Sequence, residues 1–141
     1  MNNKIKLEFL SLSINESLAR TTVGIFSLAL NPSLSELSDI KTAVSEAVTN
    51  CIVHGYPNDV GIISMECEII KDVLHINIVD KGVGIKDVNL ALESFYTTKG
   101  EEERSGMGFT IMKSFMDDVK VSSEYGEGTN IYMCKKIKTD A

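Results

Sequence analysis

The residues Ser45–Asn50, SEAVTN, place a carboxylate and a carboxamide four positions apart in a segment with helical apolar spacing. Side chains at positions i and i+4 share one face of a helix, so Glu46 and Asn50 are predicted to project side by side. The apolar side chains around them form one stripe, which predicts the buried face of the helix: Leu37, Ile40, Val44, Ala47, Val48 and Cys51. Glu46 and Asn50 fall at the edge of this stripe, neither in its middle nor opposite it.

Two glycine-containing segments follow this helix in the chain. Asp80–Gly84, DKGVG, comes at the end of a segment in which apolar and polar residues alternate from Leu74, a pattern that predicts a strand. Asp80 continues the apolar parity and is therefore predicted to point toward the buried face, where an unpaired carboxylate is costly. The second segment, Ser105–Gly108, SGMG, precedes a predicted helix.

The other elements follow from apolar spacing and from capping residues. Helices are predicted from Asn15 and Ser33, with Asn15 as the N-cap of the first and Ser33 with Glu36 as a capping box at the second. The apolar residues of the first helix are Leu18, Val23, Ile25, Phe26 and Ala29, and the helix is predicted to stop before Pro32. Strands are predicted at 4–9, 63–69, 74–80, 119–121 and 129–133, and they arrive as hairpins rather than as βαβ crossovers. The order predicts an α+β fold, a two-layer sandwich of a mixed, mainly antiparallel sheet with helices on one face.

Composition limits the classes of protein to which the chain can belong. A length of 141 residues favours one domain over residues 1–141. The net charge of −6 argues against a nucleic-acid partner, because phosphate binding by a basic surface requires the opposite sign. The three cysteines lie singly and predict free thiols in a reducing cytoplasm rather than disulfides or a zinc site. No apolar run reaches the length of about 20 residues that a membrane span needs, and no signal-peptide core is present, so a cytoplasmic protein without a membrane partner is expected.

The residue types in the three segments suit a nucleotide and its metal ion. The amide oxygen of Asn50 can ligate Mg²⁺, which prefers oxygen ligands. Glu46 can accept a proton from a water or a hydroxyl that attacks a γ-phosphate. Asp80 can accept a hydrogen bond from an exocyclic amino group such as that of adenine, and Gly82 and Gly84 would let the backbone approach the base because they lack a Cβ atom.

The remaining segments supply groups for the phosphates. Gly106 and Gly108 open a helix, whose first N–H groups and positive potential favour phosphate oxygens. Residues 94–105 are polar without apolar periodicity, which predicts a long loop that closes as a lid. Lys99 and Arg104 in this loop could neutralise the terminal phosphates. Each feature alone is more often a solvent-exposed helix edge or a turn, but their order, spacing and placement together favour a nucleotide site.

The same motifs resemble those of the GHKL ATP-binding fold, also called the Bergerat fold. This fold is shared by histidine-kinase catalytic domains, heat-shock chaperones, type II topoisomerases and mismatch-repair ATPases. Glu46 and Asn50 are similar to its N box, Asp80–Gly84 to its G1 box, Gly106–Gly108 to its G2 box, and Thr129 after a glycine to its last signature.

Within that superfamily the chain most resembles the small anti-sigma serine kinases of sporulating bacteria. The similarity extends from the first helix to Thr129 and includes the phrases EAVTN with HGY, TTK at 97–99, and ERSGMGFTIM at 103–112. The resemblance implies that ATP or ADP is bound with Mg²⁺. It also implies that a serine of a small anti-anti-sigma protein is phosphorylated and that a sporulation sigma factor is held inactive by a homodimer.

The resemblance also assigns roles by position. Glu46 would be the catalytic base, Asn50 the Mg²⁺ ligand and Asp80 the adenine contact, while Glu16 and Arg20 would face partner proteins. The other residues that it predicts to bind nucleotide are Gly82, Gly84, Thr98, Lys99, Arg104, Ser105, Gly106, Met107, Gly108 and Thr129. One departure lies in the lid, where the family tends to have prolines and this sequence has Ser94 and Gly100.

Alternatives to this function remain open at the level of sequence. The first is a nucleotide-gated clamp that sequesters the sigma factor with little catalysis, and the second is a general-stress anti-sigma kinase of the same fold. An autophosphorylating histidine kinase is not favoured, because His54 is predicted to cap or pack at a helix end and His75 to lie on the outer face of a strand. A mismatch-repair or chaperone ATPase is disfavoured because no transducer domain is present in 141 residues.

Overall fold

A computed structural model describes residues 2–88, 92 and 108–138 of the chain. The strands are β1 (Asn3–Leu10), β2 (Ile62–Ile70), β3 (Val73–Asp80), β4 (Asp118–Glu124) and β5 (Gly128–Lys136). The helices are α1 (Ile14–Ser27), α2 (Leu34–Asn50) and α3 (Gly108–Phe115). A 3₁₀ turn, Leu28–Leu30, follows α1, and a π-helical turn, Cys51–Gly55, extends α2.

The five strands form one sheet in the order β1-β2-β3-β5-β4. Each neighbouring pair among the described strands is antiparallel. The predicted α+β sandwich is therefore confirmed, and the described sheet is antiparallel throughout rather than mixed. Short connections account for part of this geometry, because β2–β3 and β4–β5 are hairpins and a hairpin can join only antiparallel strands.

One face of the sheet is buried under the three helices. Alternate residues of the central strands are fully buried there, among them Met65, Ile76, Ile78 and Ile131. The helices contribute to the same core with Val23, Phe26, Ile40, Val44, Ala47, Phe109 and Met112. The opposite face carries polar side chains such as Glu66, His75 and Asn77, which are only partly covered. The predicted placement of the helices on one face is confirmed.

Side-chain caps fix the start of α2 but not the start of α1. The Ser33 hydroxyl accepts a hydrogen bond from the Glu36 N–H at 3.0 Å, and the Glu36 carboxylate accepts one from the Ser33 N–H at 2.9 Å, so the predicted capping box is confirmed. The prediction that Asn15 caps α1 is wrong. The helix begins at Ile14, and the Asn15 side-chain amide instead donates to the Leu10 carbonyl at the end of β1, at 3.0 Å.

The apolar residues of α1 divide between two environments. Val23 and Phe26 are buried against the core, whereas Leu18 and Ile25 are 47% and 65% exposed. The helix therefore has an apolar side that the described part of the chain does not cover. Among the described residues, no helix is long and apolar enough to cross a membrane.

Candidate functional site

Asp80 is the most unusual polar residue in the described structure. It lies at the end of β3 on the helix side of the sheet and is 2% exposed. Its Oδ1 accepts a hydrogen bond from the Gly82 N–H at 2.9 Å. Its Oδ2 is buried and is the one buried side-chain oxygen or nitrogen in the described residues without a hydrogen-bond partner. A carboxylate in this condition is costly unless a ligand supplies the missing donor.

The surroundings of Asp80 shift its proton affinity. Burial raises the pKa of the carboxyl group, and the hydrogen bonds from the Gly82 N–H and the Cys51 thiol oppose this effect only in part. Cys51 lies in the π-helical turn directly beneath the carboxylate, and burial and the nearby negative charge raise the pKa of its thiol. The thiol therefore stays protonated at neutral pH, and the Asp80 Oδ2 still has no hydrogen-bond partner among the described residues.

Three glycines allow the backbone to close around Asp80. A Cβ atom on Gly55 would lie 2.8 Å from the Asp80 Cγ, and one on Gly82 would overlap the Gly55 carbonyl. Gly84 has a φ of +76°, and a Cβ there would overlap the Glu124 carbonyl. Gly82 and Gly84 were predicted to allow close approach to a nucleotide base, and that role stays a prediction. The structure supplies another reason for glycine, since both residues pack against protein backbone.

A serine outside the predicted motifs joins the G1 segment to the predicted Thr129. The Ser123 hydroxyl on β4 accepts from the Ile85 N–H at 2.7 Å and donates to the Gly128 carbonyl at 2.9 Å. It also lies 2.9 Å from the Thr129 hydroxyl, which is buried beside Asp80 across the β3–β5 pair. Sequence reasoning missed Ser123 because a single serine in a strand has no motif around it. Its parity with Thr129 in the hairpin is the signal that could have identified it.

Glu46 and Asn50 lie one turn apart near the end of α2, as predicted. Asn50 is buried with 7% exposure, and Glu46 is half-buried. Glu46 Oε2 lies 3.5 Å from the position that a Cβ would occupy on Gly108, the first residue of α3. The fold therefore brings the acid of the N-box pair to the start of the helix that follows the second glycine segment.

The predicted lid and most of the second glycine segment lie outside the described residues. This applies to Thr98, Lys99, Arg104, Ser105, Gly106 and Met107, whose nucleotide-binding roles stay predictions. The departures at Ser94 and Gly100 lie outside them as well.

Glu16 and Arg20 are joined to each other and to α2. The Glu16 carboxylate accepts a hydrogen bond from the Ser45 hydroxyl at 2.6 Å, and the same oxygen pairs with the Arg20 guanidinium at 3.1 Å. Ser45 directly precedes Glu46 in α2. The two residues predicted to face partners are thus connected by one hydroxyl to the helix that carries the predicted catalytic base.

A shallow cavity of about 390 Å³ lies at the same end of the sheet. Its lining includes Asp80, Ser123 and Thr129, and also Val79, Ser122 and Asn130, which alternate with them along the strands. Residues of both parities therefore line this cavity at the sheet end that carries Asp80.

The residues present fit a nucleotide with one metal ion. The buried Oδ2 of Asp80 requires a donor, and an adenine amino group is a donor of the right kind. Within the described part of the chain, no group of three or more His, Cys, Asp or Glu side chains could hold a metal ion. Asn50 offers a neutral oxygen, and Mg²⁺ commonly completes such coordination with phosphates and water.

Comparison with known proteins identifies the family of the chain. The family described as "Histidine kinase-like ATPase domain" matches residues 14–135, and the chain belongs to this family. Within it, the chain belongs with the anti-sigma F factors. It is 52% identical over 136 residues to the anti-sigma F factor of Caldanaerobacter subterraneus subsp. tengcongensis, which covers 96% of this chain and 95% of the relative. The anti-sigma F factor of Clostridium acetobutylicum is also 52% identical, over 138 residues, covering 97% of this chain and 96% of the relative.

Solved structures with low identity share the fold. The RsbU and RsbW domains of Rv1364c from Mycobacterium tuberculosis superpose with a TM-score of 0.72 at 16% identity, covering 99% of this chain and 34% of that one. A histidine kinase domain from the blue-light activated kinase of Erythrobacter litoralis EL346 has a TM-score of 0.55 at 18% identity, covering 73% of this chain and 45% of that one.

Replacing Gly84 tests the close packing of the G1 segment. Gly84→Ala is expected to lower the free energy of unfolding by about 2–4 kcal/mol, because it combines backbone strain with overlap of the Glu124 carbonyl. Gly126→Ala is the matched control, since Gly126 also has a positive φ of +91° but has no atom within 4 Å of an added Cβ. It is expected to cost about 1 kcal/mol. Equal losses in urea denaturation would contradict the packing account.

Replacing Asp80 tests the cost of the buried carboxylate in the nucleotide-free protein. Because burial raises its folded-state pKa, the carboxyl favours folding below the pKa of the unfolded chain, and this contribution is lost as pH rises through the folded pKa. Asp80→Asn is therefore expected to raise the thermal unfolding temperature by a few degrees at about pH 7, with the gain shrinking toward about pH 4.

The matched control for this change is Asp72→Asn, which removes an exposed carboxylate 3.7 Å from Lys136. It should change the unfolding temperature little at either pH. An Asp80→Asn protein that is less stable than the unsubstituted chain at neutral pH would show that the buried carboxylate is not a destabilising group.

Proposed function

We propose that the protein is an anti-sigma factor that binds ATP with Mg²⁺ and phosphorylates a serine of an anti-anti-sigma partner. The observation that carries this proposal is the buried Oδ2 of Asp80, which lacks a donor, at the sheet end next to the helix with Glu46 and Asn50. The family membership and the anti-sigma F factors at about half identity support the same reading.

Adenine is held by Asp80 on the helix side of the sheet. The exocyclic amino group donates to the Asp80 carboxylate, which is fixed by the Gly82 N–H. The Thr129 hydroxyl donates to Ser123, so its oxygen keeps a lone pair that faces the base. ADP has the same base and would occupy the same contacts.

The phosphates extend toward α2 and α3. Asn50 would hold Mg²⁺ through its side-chain oxygen, and the ion supplies charge neutralisation at the phosphates when bound. The first turn of α3, at Gly108, offers backbone N–H groups and positive potential. The lid residues Thr98, Lys99, Arg104, Ser105, Gly106 and Met107 would complete the phosphate contacts.

Glu46 acts as the general base in phosphoryl transfer. The serine hydroxyl of the partner gives its proton to the Glu46 carboxylate while its oxygen forms a bond to the γ-phosphorus. The bond from that phosphorus to the bridging oxygen breaks, and ADP leaves with the electron pair. The products are phosphoserine on the partner and ADP.

Partner proteins bind at α1. Arg20 is partly exposed and is held by Glu16 and Ser17, so its remaining N–H groups can donate to acidic side chains of a sigma factor or an anti-anti-sigma protein. A homodimer would cover the exposed apolar side chains near the start of α1: Leu10, Leu12, Ile14 and Leu18. These residues adjoin β1, an edge strand of the described sheet.

Replacing Glu46 tests the catalytic assignment. Glu46→Gln keeps the shape of the side chain and is expected to slow formation of phosphoserine on the anti-anti-sigma protein by about 10²–10⁴-fold, because the general base is lost. ATP affinity should stay within about threefold of that of the unsubstituted protein, since the glutamine removes no predicted contact to adenine. Transfer of labelled phosphate from ATP with Mg²⁺ measures the rate.

The control is Glu66→Gln on the open face of the sheet, where Glu66 pairs with Lys4 at 3.4 Å. It should leave both the rate and the ATP affinity unchanged. If Glu46→Gln lowers the rate by no more than the control does, Glu46 is not the base. If the unsubstituted protein binds a sigma factor in the presence of ATP but forms no phosphoserine, sequestration without catalysis describes the protein better.

A further inference from the structure

The Tyr56 side chain connects the start of β2 to the residue after β3, next to the Asp80 carboxylate. It directly follows the π-helical turn, and its N–H donates to the Cys51 carbonyl at 3.1 Å. Its phenol group donates to the Ile62 carbonyl at the start of β2, at 2.8 Å. The same oxygen accepts a hydrogen bond from the Lys81 N–H, also at 2.8 Å. One side chain thus joins the end of the α2 extension, the start of β2 and the residue after Asp80.

The Tyr56 ring is fixed in position by Gly61. A Cβ atom on Gly61 would overlap the ring, so glycine is required for this contact. Gly61 is itself fixed by two hydrogen bonds to Ser11, because its carbonyl accepts from the Ser11 N–H at 2.8 Å and its N–H donates to the Ser11 hydroxyl at 3.0 Å. Ser11 is buried at the end of β1. These contacts hold the partly exposed phenol in place.

The hydrogen bond between the Lys81 N–H and the Tyr56 hydroxyl fixes the backbone directly after Asp80. β3 ends at Asp80, which pairs with Ile63 and Thr129 on its two sides, so Lys81 is the first residue beyond the sheet. On the other side of the turn, the Val83 N–H donates to the Gly55 carbonyl at 2.9 Å. Because a side chain follows its backbone, these two bonds limit the directions in which the Asp80 carboxylate can point.

The protonation state of Tyr56 suits this role. Burial raises the pKa of the phenol, so the group stays protonated across the physiological range and continues to donate to Ile62 while it accepts from Lys81. The Tyr56 hydroxyl has no part in the nucleotide contacts, the phosphoryl transfer or the partner binding proposed above.

We propose that Tyr56 is a positioning residue for Asp80, which sets the direction of the carboxylate toward the exocyclic amino group of adenine. The inference rests on the proposed function, because it assumes that Asp80 contacts the base. The hydrogen-bond partners of the Tyr56 hydroxyl are backbone groups of Ile62 and Lys81, so its effect is expected on discrimination between bases rather than on phosphate binding.

The test compares ATP with purine riboside triphosphate, which lacks the amino group, in calorimetric titrations with Mg²⁺. In the unsubstituted protein ATP is expected to bind about tenfold or more tightly than purine riboside triphosphate, because only ATP donates to Asp80. Tyr56→Phe keeps the ring on Gly61 and removes the hydroxyl. It is expected to reduce that ratio by about three- to tenfold, with the affinity for purine riboside triphosphate nearly unchanged.

The matched control is Tyr132→Phe on the open face of the sheet, which removes a hydroxyl that lies 2.7 Å from His75 Nδ1. It should leave the ratio unchanged. If Tyr56→Phe weakens both nucleotides equally, the role is merely structural and the inference is wrong. An unsubstituted protein that binds neither nucleotide contradicts the proposed function itself, whereas ATP binding with an unaltered ratio contradicts only the role of Tyr56.

Hydrogen exchange supplies a second test that does not depend on the variant folding. The Lys81 amide is bonded to the phenol in the free protein. ATP is expected to slow hydrogen exchange at the Lys81 amide more than purine riboside triphosphate does. The reason is that the adenine amino group would hold Asp80, and with it the turn that follows, in one conformation. Equal slowing by the two nucleotides would contradict the inference.

Discussion

The candidate site is organised around one carboxylate that the fold buries without fully pairing. One carboxylate oxygen of Asp80 accepts a hydrogen bond from the Gly82 N–H. The other oxygen lies on the helix side of the sheet and has no donor among the described residues. Such a group lowers the stability of the empty protein, since burial penalises its charge. Proteins retain groups of this kind at functional sites, where a ligand supplies the missing hydrogen bond.

The surrounding elements bring the helix with Glu46 and Asn50 toward that carboxylate. The π-helical turn after α2 carries Cys51 beneath Asp80 and Gly55 against it, so the helix that holds Glu46 and Asn50 is registered on the end of β3. The turn between β4 and β5 closes the other side, where Gly126 donates to the Val83 carbonyl at 2.6 Å. Asp80 and the helix with Glu46 and Asn50 are therefore joined by the same set of close backbone contacts.

Periodicity was sufficient to predict the layers of the fold and where Glu46, Asn50 and Asp80 lie on their helix and strand. The i, i+4 relation of Glu46 and Asn50, and the strand parity of Asp80, follow from local geometry that any helix or strand obeys. Features that depend on tertiary contacts were beyond such reasoning. Ser123 bonds the Ile85 N–H, 38 positions away, and Asn15 bonds the end of β1 instead of capping its helix. Leu18 and Ile25 fit the helical spacing of apolar residues, yet both are exposed. Apolar character predicts that a side chain favours burial, but it does not identify the surface that would cover it.

The most direct test of the central claim is an NMR titration of the Asp80 carboxyl carbon, with and without ATP and Mg²⁺. The pKa of Asp80 in the free protein is expected to lie above that of an ordinary aspartate, because burial disfavours the charge. Saturation with ATP is expected to lower it, because the hydrogen bond from the amino group is stronger to the ionised carboxylate than to the neutral carboxyl group. A pKa at or below the ordinary value in the free protein, or one that ATP leaves unchanged, would contradict the account.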